Sequence, residues 1–158
     1  MTTGRQRIVA IKLDEETVVS RTPQLEHERD AALSDLLHDN AFAPVGHESG
    51  PYVLHLSIKE QRLILDIRGQ DEQPINQLIL SLTPFRRLVR DYFIVCESYY
   101  AAMQRSNLTQ LEAIDMGRRA LHNEGAEVLR QRLEGKVEID VDTGRRLFTL
   151  ICILHNQA

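Results

Sequence analysis

Apolar and polar positions alternate along "RIVAIKL" (7–13), with Val9, Ile11 and Leu13 on one side, which predicts a first strand. The period then changes. In "RTPQLEHERDAALSDLLHDN" Thr22 is a good N-cap and Pro23 suits the first helical turn, while Leu25, Arg29, Ala32, Leu33, Leu36 and Leu37 keep helical spacing. "APVGHESGP" (43–51) reads as a loop that stops this helix. "YVLHLSIKEQRLILDIRG" returns to alternation: Leu54, Leu56 and Ile58, then a polar break, then Leu63, Leu65 and Ile67, an antiparallel hairpin. "INQLILSL" adds Leu78, Leu80 and Leu82 as a third alternating strand. Such a meander has one apolar face, most simply covered by helices.

Helical periods follow. Thr83 and Pro84 repeat the cap device of Thr22 and Pro23 and open a helix from Phe85 to about Arg105, whose apolar arc is Phe85, Leu88, Val89, Tyr92, Val95, Cys96, Tyr99 and Met103. After "SN", a third helix from Leu108 to His122 carries Leu108, Leu111, Ile114 and Leu121. "HNEG" is read as a turn, with Asn123 capping a fourth helix that ends at Gly135. "KVEIDVDTGRRLFTLICILH" supports two readings. Either Asp-Thr-Gly closes a hairpin into a buried strand, or a short strand precedes a helix capped by Asp142, with Leu147, Leu150, Ile151 and Leu154 at i, i+3, i+4, i+7; the second is preferred.

These elements make an α+β fold: a small, mainly antiparallel sheet of an N-terminal strand, a hairpin and a third strand, packed on one face by several helices. A chain of 158 residues with 42% apolar and 27% charged composition fits a single domain over residues 1–158, large enough to bury roughly 68–70% of its unfolded surface without a staple. The net charge of −4 gives no generic attraction to nucleic acid or an anionic membrane. The longest apolar run, "LFTLICIL", is too short to span a bilayer, and "MTTGRQRIVAIKLDEE" turns acidic where a signal peptide is apolar. Cys96 and Cys152 lie far apart in apolar stretches and read as reduced core thiols of a cytoplasmic protein. The basic residues are 16 Arg against 3 Lys, which suits carboxylate or phosphate recognition and equally follows from a GC-rich genome.

Two basic clusters carry the candidate chemistry. Arg86, Arg87 and Arg90 begin a helix, where each exposed cation costs about 0.3–1 kcal/mol against the helix dipole. At 100° per residue they fall almost opposite the apolar arc, so they point outward, with Arg87 able to pair with Asp91. They are either a solvated face or an anion site. Ile94 and Ala101 share that outward face and mark a contact surface for another element or subunit. In "DMGRRALHNEG", Asp115 with Arg119 and Arg118 with His122 share helix faces, and Glu124 follows; His122 and Glu124 are an acid/base pair in the functional reading, and dipole-favoured charges otherwise. Asp140 and Asp142 are a solvated face and a cap, or a carboxylate pair for a cation. No metal-ligand, nucleotide or nucleophile motif is present in the sequence, so no metal or cofactor is expected.

The stretches "LILSLTPFRRLVRDYF", "CESYY", "EAIDMGRRALHNEGAE" and "DTGRRLFTLICILH" resemble a family of small uncharacterised bacterial proteins, over a span from the first strand to His155. The resemblance implies no activity, ligand or catalytic residue. Two functions follow from the residues themselves. The first is a non-enzymatic cytoplasmic protein acting by self-association or by binding a protein partner, with Ile94 and Ala101 in contact. The alternative is an anion-binding protein or small enzyme that takes a phosphate- or carboxylate-bearing small molecule through Arg86, Arg87, Arg90, Arg118 and Arg119, with His122 and Glu124 beside it. Nucleic acid and membrane are not expected partners.

Overall fold

A computed structural model describes residues 6–14, 22–105 and 107–155; Ser106, read as part of a helix break, lies outside them. The main sheet has the order β1 (Ile8–Leu13), β3 (Tyr52–Lys59), β4 (Arg62–Gly69), β5 (Pro74–Ser81). β1 runs parallel to β3 and the other pairs are antiparallel. A parallel neighbour requires a crossover, and α1 (Pro23–His38) lies within it. The β3 to β4 hairpin turns on Glu60 and Gln61, both at positive φ (52° and 63°), the geometry whose twist matches the flanking strands.

The alternation places Leu54, Leu56, Leu63, Leu65, Ile67 and Leu80 on a buried face, each side chain contributing about 1.5–3 kcal/mol when fully covered. Helices cover that face, while His55, Asp66, Arg68 and Gln77 occupy the other. β1 departs from the expected side. A register shift between Ile8 and Ala10 makes Ile8 fully buried while Ile11 and Leu13 pack at the core margin, because a bulge reverses the facing of residues on its two sides.

α1 starts as expected, with Thr22 Oγ1 accepting from Leu25 N at 3.2 Å. The second cap device does not repeat. Thr83–Phe85 form a short 3-10 turn without a side-chain cap, and α2 (Arg86–Gln104) continues from it. Phe85, Leu88, Val89, Tyr92 and Cys96 are buried, yet Met103 is exposed while its neighbour Ala102 is the buried residue of the last turn of α2. α3 is one helix, Leu108–Leu133, with no turn at "HNEG". Gly125 does not end it; a Cβ there would collide with the Phe148 ring, so the glycine admits close approach of the next helix. Gly135, at φ 77°, does stop the helix. Leu108 is exposed, and Leu111, Ile114 and Leu121 are only half-buried.

β6 (Val137–Ile139) and α4 (Val141–His155) resolve the two C-terminal readings in favour of strand then helix. The cap is Asp140, whose Oδ1 accepts from Thr143 N at 2.9 Å; Asp142 sits inside the helix. β6 pairs antiparallel with β2 (Phe42–Pro44), a strand inside the stretch read as a loop, too short to show alternation. Leu147 through Leu154 are all buried, as expected of a helix enclosed on every side: α4 packs on α1, α2, α3 and β3.

Candidate functional site

Four helices meet around a cleft of about 310 Å³, lined by Glu28 and Asp35 of α1, Tyr92 of α2, Arg118 and His122 of α3, and Asp142, Arg145, Arg146 and Thr149 of α4. Helical spacing puts them there. Glu28 and Asp35 are seven apart, Arg118 and His122 four apart, and Asp142, Arg145 and Thr149 fall at i, i+3 and i+7, so each set shares one face.

Glu28 is the hub. Its Oε1 accepts from the Tyr92 hydroxyl at 3.2 Å, from Cys96 Sγ at 3.6 Å and from Arg118 Nη1 at 3.1 Å, and its Oε2 takes no hydrogen bond from the described residues. Arg118 also donates to Asp115 Oδ1 at 2.9 Å and lies 4.1 Å over the Tyr99 ring. With side chains 13% and 17% exposed, Glu28 and Arg118 form a largely buried pair whose members each need the other. Burial opposes the guanidinium charge, but Glu28 and Asp115 outweigh it and raise the Arg118 pKa.

His122 stacks at 5.4 Å from the Tyr92 ring, and its Nε2 is 3.3 Å from Thr149 Oγ1. The Thr149 hydroxyl spends its one hydrogen on the Arg145 carbonyl at 3.2 Å, so Nε2–H donates to Oγ1 and Nδ1 keeps a lone pair. Burial, then the positive charges of Arg118 and Arg145, push His122 down to about 4; it is neutral at pH 7. Burial likewise pushes the Cys96 thiol up to about 12 and raises Tyr92. The cleft therefore presents neither a thiolate nor a phenolate at neutral pH, and its histidine is a weak base. Arg145 is held by Asp142 and by Asn123 Oδ1 at 2.6 Å. Arg146 donates to the Asp39 carbonyl at 2.9 Å and has no carboxylate partner among the described residues.

Of the candidate site residues singled out from the sequence, Arg118, His122 and Asp142 line this cleft, and Asp142 is there paired with Arg145 rather than with Asp140. Arg119 is exposed and pairs with Asp115 Oδ2 at 3.0 Å. Glu124 cannot act with His122: two residues apart on one helix, they face different ways, and Glu124 binds Arg87 instead. That contact supplies the negative partner for a helix-start arginine, together with Asp91 Oδ2 at 3.3 Å. Arg86 reaches Gln61 Oε1 at 3.4 Å, and Arg90, 70% exposed, lies 3.7 Å from Asp91. These three point outward as the helical wheel predicts, and the two basic clusters do not share the cleft. Ile94 is 56% exposed and Ala101 half-buried. Glu28, Asp35, Arg145, Arg146 and Thr149 escaped the sequence reading. A signal existed for one of them: Glu28 stands three after Leu25 and four before Ala32, an acid within an apolar stripe.

No cluster of three or more His, Cys, Asp or Glu among the described residues is arranged to hold a metal ion, and no helix is long and apolar enough to cross a membrane. The molecule is thus an α+β protein whose helical layer encloses a charge-lined cleft. Residues 5–157 match the family model described as "Uncharacterised protein family (UPF0262)", and the chain belongs to that family, which has no assigned biochemical role. It is similar to UPF0262 proteins of Paramagnetospirillum magneticum (54% identical over 151 residues, 96% of each chain) and Rhodospirillum rubrum (55% over 148 residues, 94% of this chain and 91% of the relative). A third, from Agrobacterium fabrum, is 48% identical over 155 residues, 98% of each chain. No solved structure matches it.

Proposed function

We propose that the protein binds a small zwitterionic molecule, a compound with one carboxylate and one ammonium group such as a free α-amino acid, in the four-helix cleft. The observation that carries this reading is the balance of groups left without partners there. Among the described residues no donor reaches Glu28 Oε2, the Asp35 carboxylate or His122 Nδ1, and no carboxylate reaches the Arg146 guanidinium. A simple anion would meet three carboxylates; a simple cation would meet three guanidinium groups. A zwitterion answers both, its carboxylate on Arg146 and its ammonium on Glu28 and Asp35. A volume of about 310 Å³ suits a ligand of that size. With Tyr92 and Cys96 held protonated and His122 weakly basic, the arrangement favours binding over catalysis.

The test is a thermal-shift screen of the full chain against the free α-amino acids. A ligand at a hundredfold its dissociation constant adds about 2.7 kcal/mol of stability. Arg146→Ala and Asp35→Asn, both near the rim and away from the core, should each abolish the shift while leaving the unliganded melting temperature within a few degrees. A shift that survives both substitutions would place the ligand elsewhere.

A further inference from the structure

We propose that β5 pairs antiparallel with the β5 of a second copy of this chain, about a twofold axis at Ile79, and so joins two four-stranded sheets into one. β5 is eight residues long and, among the described strands, is hydrogen-bonded only to β4. The opposite edge of the sheet is partly closed, because the Asn40 side chain takes the Ile8 N–H at 2.7 Å and donates to the Ile8 carbonyl at 2.9 Å. Among the described residues nothing comparable covers β5. Soluble proteins blunt such edges with lysine, other charges or interruptions, yet residues 73–85 contain no charged side chain at all.

The register identifies which groups are open. Leu82 N donates to the Gln61 carbonyl at 3.2 Å, so Leu80 and Leu78 bond β4 in the same phase, opposite Leu63 and Leu65. Ser81, Ile79 and Gln77 therefore turn their N–H and C=O groups outward. Asn76 Oδ1 already occupies the Gln77 N–H at 2.9 Å. A twofold axis at Ile79 suits this inventory. Ile79 N–H meets the Ile79 carbonyl of the second copy in both directions, and Ser81 N–H meets the Gln77 carbonyl in both directions. Asn76 need not move.

The side chains agree with the backbone. Ile79 is 53% exposed on the face away from the helices, directly opposite half-buried Ile64 on β4. The dyad places the two Ile79 side chains opposite each other and creates a continuous row Ile64, Ile79, Ile79, Ile64 across the joined sheet, the β-branched cross-strand pairing that stabilises sheets. An uncharged edge presents no repulsion to its own copy, and one edge used twice closes the assembly at two.

Light scattering of the purified full chain should give twice 18.1 kDa, falling to 18.1 kDa in Ile79→Pro. That substitution removes an outward N–H and leaves the β4 ladder intact. Should Ile79→Pro lose its circular dichroism signal, Ile79→Lys gives the same readout without constraining the backbone. Mild oxidation of Ile79→Cys should yield a disulfide-linked pair, since paired Cα atoms about 5.5 Å apart lie within disulfide reach and Cys96 and Cys152 are buried. A wild-type mass of 18.1 kDa, a mass unchanged in folded Ile79 variants, or cross-linking of Ile94→Cys but not Ile79→Cys would each overturn the proposal.

Discussion

Glu28 Oε1 receives donors from Tyr92, Cys96 and Arg118, which ties α1 to α2 and α3 through one atom. His122 extends the arrangement to α4 through Thr149. Its depressed pKa has a stability consequence. The unfolded chain takes up a proton near 6.5, whereas the folded chain does so only near 4; the stabilisation is complete above 6.5 and is lost as pH falls through that window. The full difference is about 3 kcal/mol. Urea denaturation between pH 7 and 4 should therefore show a shallower decline in His122→Gln than in the wild type. Parallel declines would mean His122 protonates freely in the fold. Gly125 makes a different prediction. Gly125→Ala gains roughly 1 kcal/mol of helix propensity, but the methyl meets the Phe148 ring, a buried and rigid neighbour. Overpacking of this kind costs about 1–3 kcal/mol, so the variant should melt lower than the wild type. A higher melting temperature would show that α3 and α4 separate easily.

At the scale of elements, strands with sustained alternation were legible: β3, β4 and β5 each show their buried side directly in Leu54, Leu56, Leu63, Leu65 and Leu80. β2 was not, because Phe42–Pro44 form a strand only by meeting Val137–Ile139 across the chain. The sequence pattern divides α3 in two for a related reason. A glycine after Asn123 carries a local stop signal, and only the position of Phe148 on another helix reveals it as a packing residue. The candidate site divides the same way. Outward projection of Arg86, Arg87 and Arg90 follows from their own helix, whereas the choice of Glu28 for Arg118, 90 residues away, depends on the tertiary fold. α3 itself is uneven: exposed Leu108 and Met116 contrast with buried Gly125, Ala126, Leu129 and Leu133. Amide hydrogen exchange should be markedly faster in residues 109–116 than in 125–133, since local opening tracks buried contact. Uniform protection along α3 would require a further surface on its first half.

Among the described residues the molecule combines a sheet with one face and one edge left uncovered and a helical layer around a charge-balanced cleft. Its parts constrain one another: residues 147–154 of α4 are buried, so the cleft walls formed by Arg145, Arg146 and Thr149 belong to a helix that cannot shift without disturbing the core. A site on so rigid an element is preformed, and its selectivity should follow charge pattern rather than induced fit. Pairing through β5 would leave the cleft unaffected, because none of its lining residues belongs to that strand. The most direct measurement is a calorimetric titration with three matched compounds: an α-amino acid found in the screen, the same molecule without its amino group, and the same molecule without its carboxylate. The cleft's balance predicts that the amino acid binds and that each truncated form binds at least tenfold more weakly. Equal binding of the carboxylate-only compound, or no binding by any of the three, would contradict it.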